Sequence, residues 1–197
     1  MDNRRINALI KRAFDVVFSL TGIIILSPVF LVLSVMIVLD SRGGVFFRGQ
    51  RVGLHGNPFR IFKFRSMKTN SEGNGYWNIG DEDPRITRIG GFLRRSKLDE
   101  LPQLFNVFLG EMSIVGPRPE LQYYVDMYTE DEKEILSMKP GITDWASVTY
   151  MEQYISFTSA SDPDRFYLEQ IRPVKLKLQR YYCRHQSFLV MICSLLP

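Results

Sequence analysis

VVFSLTGIIILSPVFLVLSVMIVL, residues 16–39, runs for 24 residues without a charge, and where this stretch goes decides the fold. A bilayer-spanning helix needs about 20 apolar residues at ~1.5 Å each, so the length suffices to cross a membrane. A cleavable signal has an apolar region of only about 7–15 residues and a small-residue cleavage site, so the segment reads as retained. Ser27-Pro28 sits at its middle. Pro28 has no amide hydrogen and crowds the carbonyl of Ile24, which predicts a bend, while the Ser27 hydroxyl can satisfy a freed carbonyl locally. Arg4, Arg5, Lys11 and Arg12 precede the segment, and Arg42, Arg48 and Arg51 follow it. The positive-inside rule would keep both ends on the cytoplasmic side, which favours a hairpin that enters and leaves by one face. A Pro-kinked spanning helix is the competing reading, and these features alone leave both open.

Working outward, Val45–Arg48 and Phe59–Phe64 are aromatic-rich and flank Gly53-Leu54-His55-Gly56-Asn57-Pro58, which predicts a β-hairpin. Residues 69–84 are polar and glycine-rich and are expected to form a loop near a site. Ile86, Ile89, Phe92 and Leu93 recur at helical spacing beside Arg85, Arg88, Arg94, Arg95 and Lys97, a basic amphipathic helix suited to the headgroup level. A second basic stretch covers residues 165–184, with six cations against Glu169 alone. The chain of 197 residues carries a net charge of +4 and a pI near 9.1, consistent with anionic lipid, nucleotide or phosphate. No nucleic-acid module is recognisable, and nucleic acid is not an expected partner. Two cysteines and two histidines without paired spacing argue against a zinc site and suit a reducing compartment.

The chemistry concentrates in RRSKLDELPQLFNV, residues 94–107, and in SIVGPRP, residues 113–119. Pro102 belongs in the first turn of a helix ending near Gly110, placing Asp99 and Glu100 at its N-terminal end. Simple capping explains two acids at a helix start, but an ionised carboxylate there can also be a nucleophile, with the helix amides holding a phosphate. Two adjacent carboxylates also suit a shared Mg²⁺ that screens them from a diphosphate. The candidate phosphate-binding cations are Lys63, Arg65, Arg85, Arg95, Lys97 and Arg118, the last held between two prolines that restrict its backbone.

These residues resemble a known family. KFRSM at 63–67, DPRITRIGGFLRRSKLDELPQLFNV at 83–107, EMSIVGPRPE at 111–120 and KPGIT at 139–143, downstream of a hydrophobic segment with Ser-Pro, look like the bacterial sugar transferases, the monotopic phosphoglycosyl transferases. The likeness runs from about Lys11 to Tyr150, continues more weakly to the end, and is nearest to the small stand-alone members. It implies that Asp99 attacks the β-phosphate of a UDP-sugar, releases UMP and forms an aspartyl phosphosugar, which polyprenyl phosphate then attacks. It further implies that Glu100 works with Mg²⁺, that Arg118 binds phosphate, and that Ser27-Pro28 is the break of a re-entrant hairpin.

The resulting expectation is an α+β fold, mainly helical, with a small β-hairpin, a re-entrant membrane helix-break-helix and interfacial amphipathic helices. Residues 1–42 would form the membrane hairpin with basic flanks, and 43–197 a catalytic domain on the cytoplasmic face of a bacterial inner membrane. Membrane lipids, UDP-sugar and polyprenyl phosphate are the expected partners, with downstream glycosyltransferases or a second copy of the chain as protein partners. Two departures from the family pattern stand out: Asp144 precedes Trp145 where a glycine is usual, and Phe188–Ile192 replaces an Asp that often precedes a Lys. A non-catalytic membrane adaptor is the alternative of another class, and it would leave Asp99 dispensable.

Overall fold

The computed structural model describes residues 3–69, 83–144 and 163–185. The loop expected at 69–84, Trp145 and the segment 188–192 lie largely or wholly outside these. Helix α1, Asn3–Asp40, is long and apolar enough to cross a membrane by length and composition. The break expected at Ser27-Pro28 is not a break in the backbone helix, because Pro28 lies inside one continuous element. The Ser27 hydroxyl donates to the Ile24 carbonyl at 2.8 Å, supplying the partner that proline withholds.

Both ends of α1 are fastened to the rest of the chain. Near its start, Lys11 Nζ donates to the Val115 carbonyl at 2.8 Å and Arg12 to the carbonyls of Val107 and Phe108. The buried Asp15 carboxylate accepts from Ser113 Oγ and the Ile114 amide. At the far end Phe30, Leu33 and Ile37 bury against Phe64 and Leu93, while Asp40 accepts from the Ile89 amide at 2.9 Å. Between these attachments the helix exposes Val17, Phe18, Ile24, Ile25, Leu31 and Val32, among others. So large an apolar face is expensive in water and fits lipid contact.

The expected hairpin forms, as two short ladders. Strands β1, Phe46–Phe47, and β4, Lys63–Phe64, pair antiparallel, as do β2, Gln50–Val52, and β3, Pro58–Arg60. Between them the Ile61 amide donates to the Gly49 carbonyl, so the hairpin carries on across an irregular middle. Phe59 and Ile61 bury in the cluster of Val107, Met112, Ile114 and Tyr182, whereas Phe64 buries against α1. A parallel pair, β5 (Ser113–Val115) with β6 (Gly141–Thr143), completes the described sheets.

Helix α2, Arg88–Arg95, is capped by Thr87, whose hydroxyl accepts from the Gly90 amide at 2.9 Å. Gly90 is obligatory here: a Cβ would stand 2.0 Å from the Ser66 carbonyl oxygen, so any side chain would push α2 off β4's end. The helix stops at Lys97, which takes the left-handed conformation with φ 58°, and a 3₁₀ turn over Leu98–Glu100 follows. Pro102 then leads into α3, Gln103–Leu109, which ends at Gly110 with φ 87°.

A short α4, Gln122–Val125, and a 3₁₀ turn, Glu132–Ser137, precede the C-terminal helical run of α5, Pro163–Phe166, a π-helical turn, Tyr167–Ile171, and α6, Arg172–Arg184. Four cations of the second basic stretch pair with acids elsewhere in the chain: Arg172 lies 3.8 Å from Glu132, Arg180 3.0 Å from Asp131 and Arg184 2.8 Å from Glu134. Lys175 pairs with the half-buried Glu120. Those of Arg180 and Arg184 lie 49 and 50 positions upstream, so a charge count along the helix alone missed them.

Candidate active site

The turn Leu98–Glu100 is held from two sides. Leu98 and Leu101 pack against the cluster of Phe30, Phe64 and Leu93, while the acids between them face cations. Glu100 is the committed member of the pair. Lys63 Nζ donates to its Oε1 at 2.8 Å, and Arg118 forks onto it, with Nη1 at 3.2 Å from Oε2 and Nη2 bonded to Oε1. Burial alone would raise this carboxyl, but Arg118 and Lys63 hold it well below its ordinary value. Lys63 is in turn pulled below its ordinary value by burial, a cost that Glu100 opposes.

Asp99 is the uncommitted member. Its residue is 8% exposed, and among the described residues no hydrogen bond reaches its carboxylate. Burial pushes its pKa above the ordinary value; Lys63, Arg94 and Lys97 pull it down, and Glu100 pushes it up. Carboxylates favoured by the amides of a helix start were the expectation, and position is why those amides do not supply the field. The acids occupy a separate turn ahead of α3, where the amides of Glu100 and Leu101 already donate to Lys97 and Leu98. Side-chain cations, rather than helix amides, supply the positive field.

The other anticipated cations divide. Lys97 and Arg95 are exposed at the end of α2, with the Lys97 charge acting on Asp99. Arg85 forks onto Asp83 at 2.7–3.0 Å, so a phosphate would have to compete with that carboxylate. Arg65 is 7% exposed and donates to the carbonyls of Ile37, Ser41 and Arg42 and to Ser41 Oγ. It caps the C-terminus of α1, whose own last turn has no basic residue, and its charge complements the helix dipole. Arg65→Met is therefore expected to cost about 2 kcal/mol of stability by leaving buried carbonyls unmatched. Thermal unfolding of the variant beside the wild type measures that cost.

Several residues that shape the site were not among the site candidates read from the sequence. Asn106 is fully buried; its Oδ1 accepts from the Phe62 amide and its Nδ2 donates to the Arg60 carbonyl and to Glu111, tying the Lys63 strand to α3. Asp144, the unusual residue, is 3% exposed and accepts from the Arg118 amide at 3.3 Å and from Gln179 Nε2 at 2.6 Å. It joins the Pro-Arg-Pro segment to α6. Arg51 is pulled below its ordinary pKa by burial, and the charges of Glu120, Arg118 and Glu100 act on it, which adds a further cation to the site's field. Arg94 Nη1 is buried with no partner among the described residues, beside the carboxylate its charge already influences.

A buried free carboxylate, a neighbouring carboxylate clamped by two cations, and further cations at hand make a site for phosphoryl chemistry next to an apolar surface. Comparison with known proteins agrees. The family model described as bacterial sugar transferase matches residues 6–195. The chain is 43% identical over 148 residues to a UDP-N-acetylgalactosamine-undecaprenyl-phosphate N-acetylgalactosaminephosphotransferase of Aeromonas hydrophila, covering 74% of this chain and 35% of that protein. It is 41% identical over 146 residues to a UDP-glucose:undecaprenyl-phosphate glucose-1-phosphate transferase of Escherichia coli, covering 73% and 32%. To the exopolysaccharide production protein ExoY of Sinorhizobium fredii it is 36% identical over 155 residues, covering 71% and 69%. The matched region thus spans about a third of the first two relatives. With both the motif order and the family model in agreement over nearly its whole length, this chain belongs to the bacterial sugar transferase family.

Proposed function

We propose that the chain transfers a phosphosugar from a UDP-sugar to polyprenyl phosphate in two displacements at Asp99. An Asp99 carboxylate oxygen attacks the β-phosphorus; the bond from that phosphorus to the bridging oxygen breaks, and UMP leaves with the electron pair. The product is an acyl phosphate joining Asp99 to the phosphosugar. A phosphate oxygen of the lipid acceptor then attacks the same phosphorus, the Asp99–phosphorus bond breaks, and the carboxylate is restored beside a polyprenyl diphosphosugar. Support comes above all from the division between the two acids, because the carboxylate left without a hydrogen bond among the described residues is the one the motif nominates as nucleophile.

Arg118 and Lys63 hold Glu100 ionised and present remaining guanidinium and ammonium protons toward a diphosphate at its side. Their positions are fixed by Asp144 and Asn106. Among the described residues no three Asp, Glu, His or Cys side chains gather, so an all-protein metal cage is not the form of this site. The donor set does fit Mg²⁺, which is commonly held by one or two carboxylates and completed by substrate phosphates and water. Asp99 and Glu100 are the residues that would hold it, and when bound it would neutralise charge on the diphosphate.

The attachment of α1 favours re-entry over spanning. Its two ends are held by one domain, through Arg12 and Asp15 at one end and Asp40 at the other. Arg12 and Phe30 lie 18 positions apart, about 27 Å of straight helix, yet they reach α3 residues only two apart, Val107 and Phe105. α3 thus takes contacts from both halves of α1. Both termini would then lie on the cytoplasmic face of a bacterial inner membrane.

The reading is tested with purified protein, Mg²⁺, undecaprenyl phosphate and a panel of UDP-sugars that includes UDP-N-acetylgalactosamine and UDP-glucose. UMP release with one or a few donors is the expected result. No release from any donor would return the adaptor reading.

A further inference from the structure

We propose that α6 is the element that aims Arg118 at the diphosphate, with Gln179 acting through Asp144 and Lys175 through Glu120. Gln179 and Lys175 are thus positioning residues for the transfer. This rests on the reaction proposed above and goes beyond it by giving the C-terminal helix a part in it.

The Arg118 guanidinium has two tasks, holding Glu100 and meeting a phosphate, so its direction matters. The prolines on either side restrict the backbone of the loop without fixing which way the loop faces. Hydrogen bonds do that. The Gly116 amide donates to the Thr143 carbonyl at 3.0 Å and the Gly141 amide to the Pro117 carbonyl at 2.9 Å, while the Val52 amide donates to the Glu120 carbonyl at 3.0 Å. Between these, the Arg118 amide donates to Asp144, whose Oδ2 also accepts from Gln179 Nε2. Two residues on, Glu120 Oε1 accepts from Lys175 Nζ and from the Tyr167 hydroxyl at 3.0 Å.

Gln179 and Lys175 stand four apart on α6 and so share a face. The helix behind them is firmly seated. Leu176 buries with Val52, Val125, Tyr128 and Ile135, and Tyr182 with Val107, Ile114 and Val115. Arg180 and Arg184 tie its other side to Asp131 and Glu134.

Packing alone does not call for these polar groups. Gln179 is 1% exposed, and its Oε1 has no partner among the described residues, an unmatched acceptor that weakens the fold. The Lys175 and Glu120 side chains are 15% and 11% exposed, and apolar side chains of similar volume often stabilise as well as an ion pair so placed. Burial would lower the Lys175 pKa, but Glu120 raises it, with Asp144 adding to the effect, so the two tethers share one field. What hydrogen-bonded groups supply, and apolar contacts do not, is a fixed direction. Both tethers deliver it to the loop that carries Arg118.

The test is whether Gln179 matters only when a guanidinium is there to be aimed. With undecaprenyl phosphate and Mg²⁺ present, kcat/KM for a UDP-sugar is measured by UMP release for Gln179→Leu, Arg118→Met and the double variant. Gln179→Leu should lower it about tenfold, the scale of a small displacement of a binding group. In the Arg118→Met background the same substitution should lower it no more than about twofold further, because nothing remains to be aimed. A merely structural loss of folded protein would lower both by the same factor. Equal factors would therefore overturn the proposal, as would wild-type kcat/KM in Gln179→Leu. The second tether keeps the proposal testable if Gln179→Leu does not fold: Glu120→Gln with Lys175→Met removes both charges together, and its effect should likewise shrink to about twofold or less in Arg118→Met. An undiminished effect there would also overturn it. Absence of UMP release in the wild type would instead remove the reaction on which the proposal rests.

Discussion

Asp99→Asn should abolish turnover, by a factor on the order of 10⁴ or more, and at the same time make the protein more resistant to heat. The loss follows from removing the nucleophile, since an amide cannot form the acyl phosphate. The gain follows from burial: the folded chain raises the Asp99 pKa, so ionised Asp99 is a cost that the asparagine lacks. The sign is worked out by linkage. A carboxyl whose folded pKa is raised contributes stability that is present below its unfolded pKa, about 3.9, and is lost as pH rises through the folded value. That loss grows as Asp99 ionises in the wild type and is absent in the variant. Catalysis runs the other way, because attack requires the ionised form. The acid limb of kcat/KM should therefore have its midpoint above the ordinary aspartate pKa. Three measurements check this: UMP release, melting temperature against pH, and trapping of the acyl phosphate with hydroxylamine. A variant that retains wild-type UMP release would remove Asp99 as nucleophile.

Glu100→Gln should destabilise the fold by about 3 kcal/mol, the scale of breaking a largely buried ion pair from one side, and should lower activity by at least about a hundredfold. Lys63 and Arg118 both converge on this carboxylate, and both would face each other across a neutral amide. Lys63 is already pulled below its ordinary pKa by burial, so losing Glu100 should favour its deprotonation and strip the site of a cation. Glu100 has the opposite pH signature to Asp99. Its folded pKa is depressed, so the stability it contributes is present above the unfolded carboxylate value, about 4.3, and is lost as pH falls through the folded one. Acid denaturation of the wild type should accordingly be steeper than that of Glu100→Gln. Chemical denaturation at neutral and acid pH measures the difference, and equal pH dependence in the two proteins would contradict the assigned role of the pair.

The sequence by itself determined the local elements. Residues 16–39 are uncharged for long enough to be a membrane helix; the amphipathic period of Ile86, Ile89, Phe92 and Leu93 marks α2; Pro102 and Gly110 bracket α3; and aromatic runs around Gly53–Pro58 fold back as a hairpin. Each of these signals is complete within a few residues, because capping, φ restriction and periodicity act over one or two turns. The motif order also carried the family.

Only the tertiary structure decided which acid is clamped and which is free. Lys63 and Arg118 lie 37 and 18 positions from Glu100 and reach it only because the hairpin and the Pro-Arg-Pro segment pack around the dyad turn. Likewise Arg65 reads as a phosphate ligand beside Lys63 in sequence, yet beyond the end of β4 it reaches the carbonyls at the end of α1 while Lys63 reaches the dyad. The cations of α6 found acids some 50 positions away, and Asp144 found the Arg118 amide 26 away. A charge's role is set by the partner that packing brings within about 3 Å, and nothing in the neighbouring residues encodes that partner.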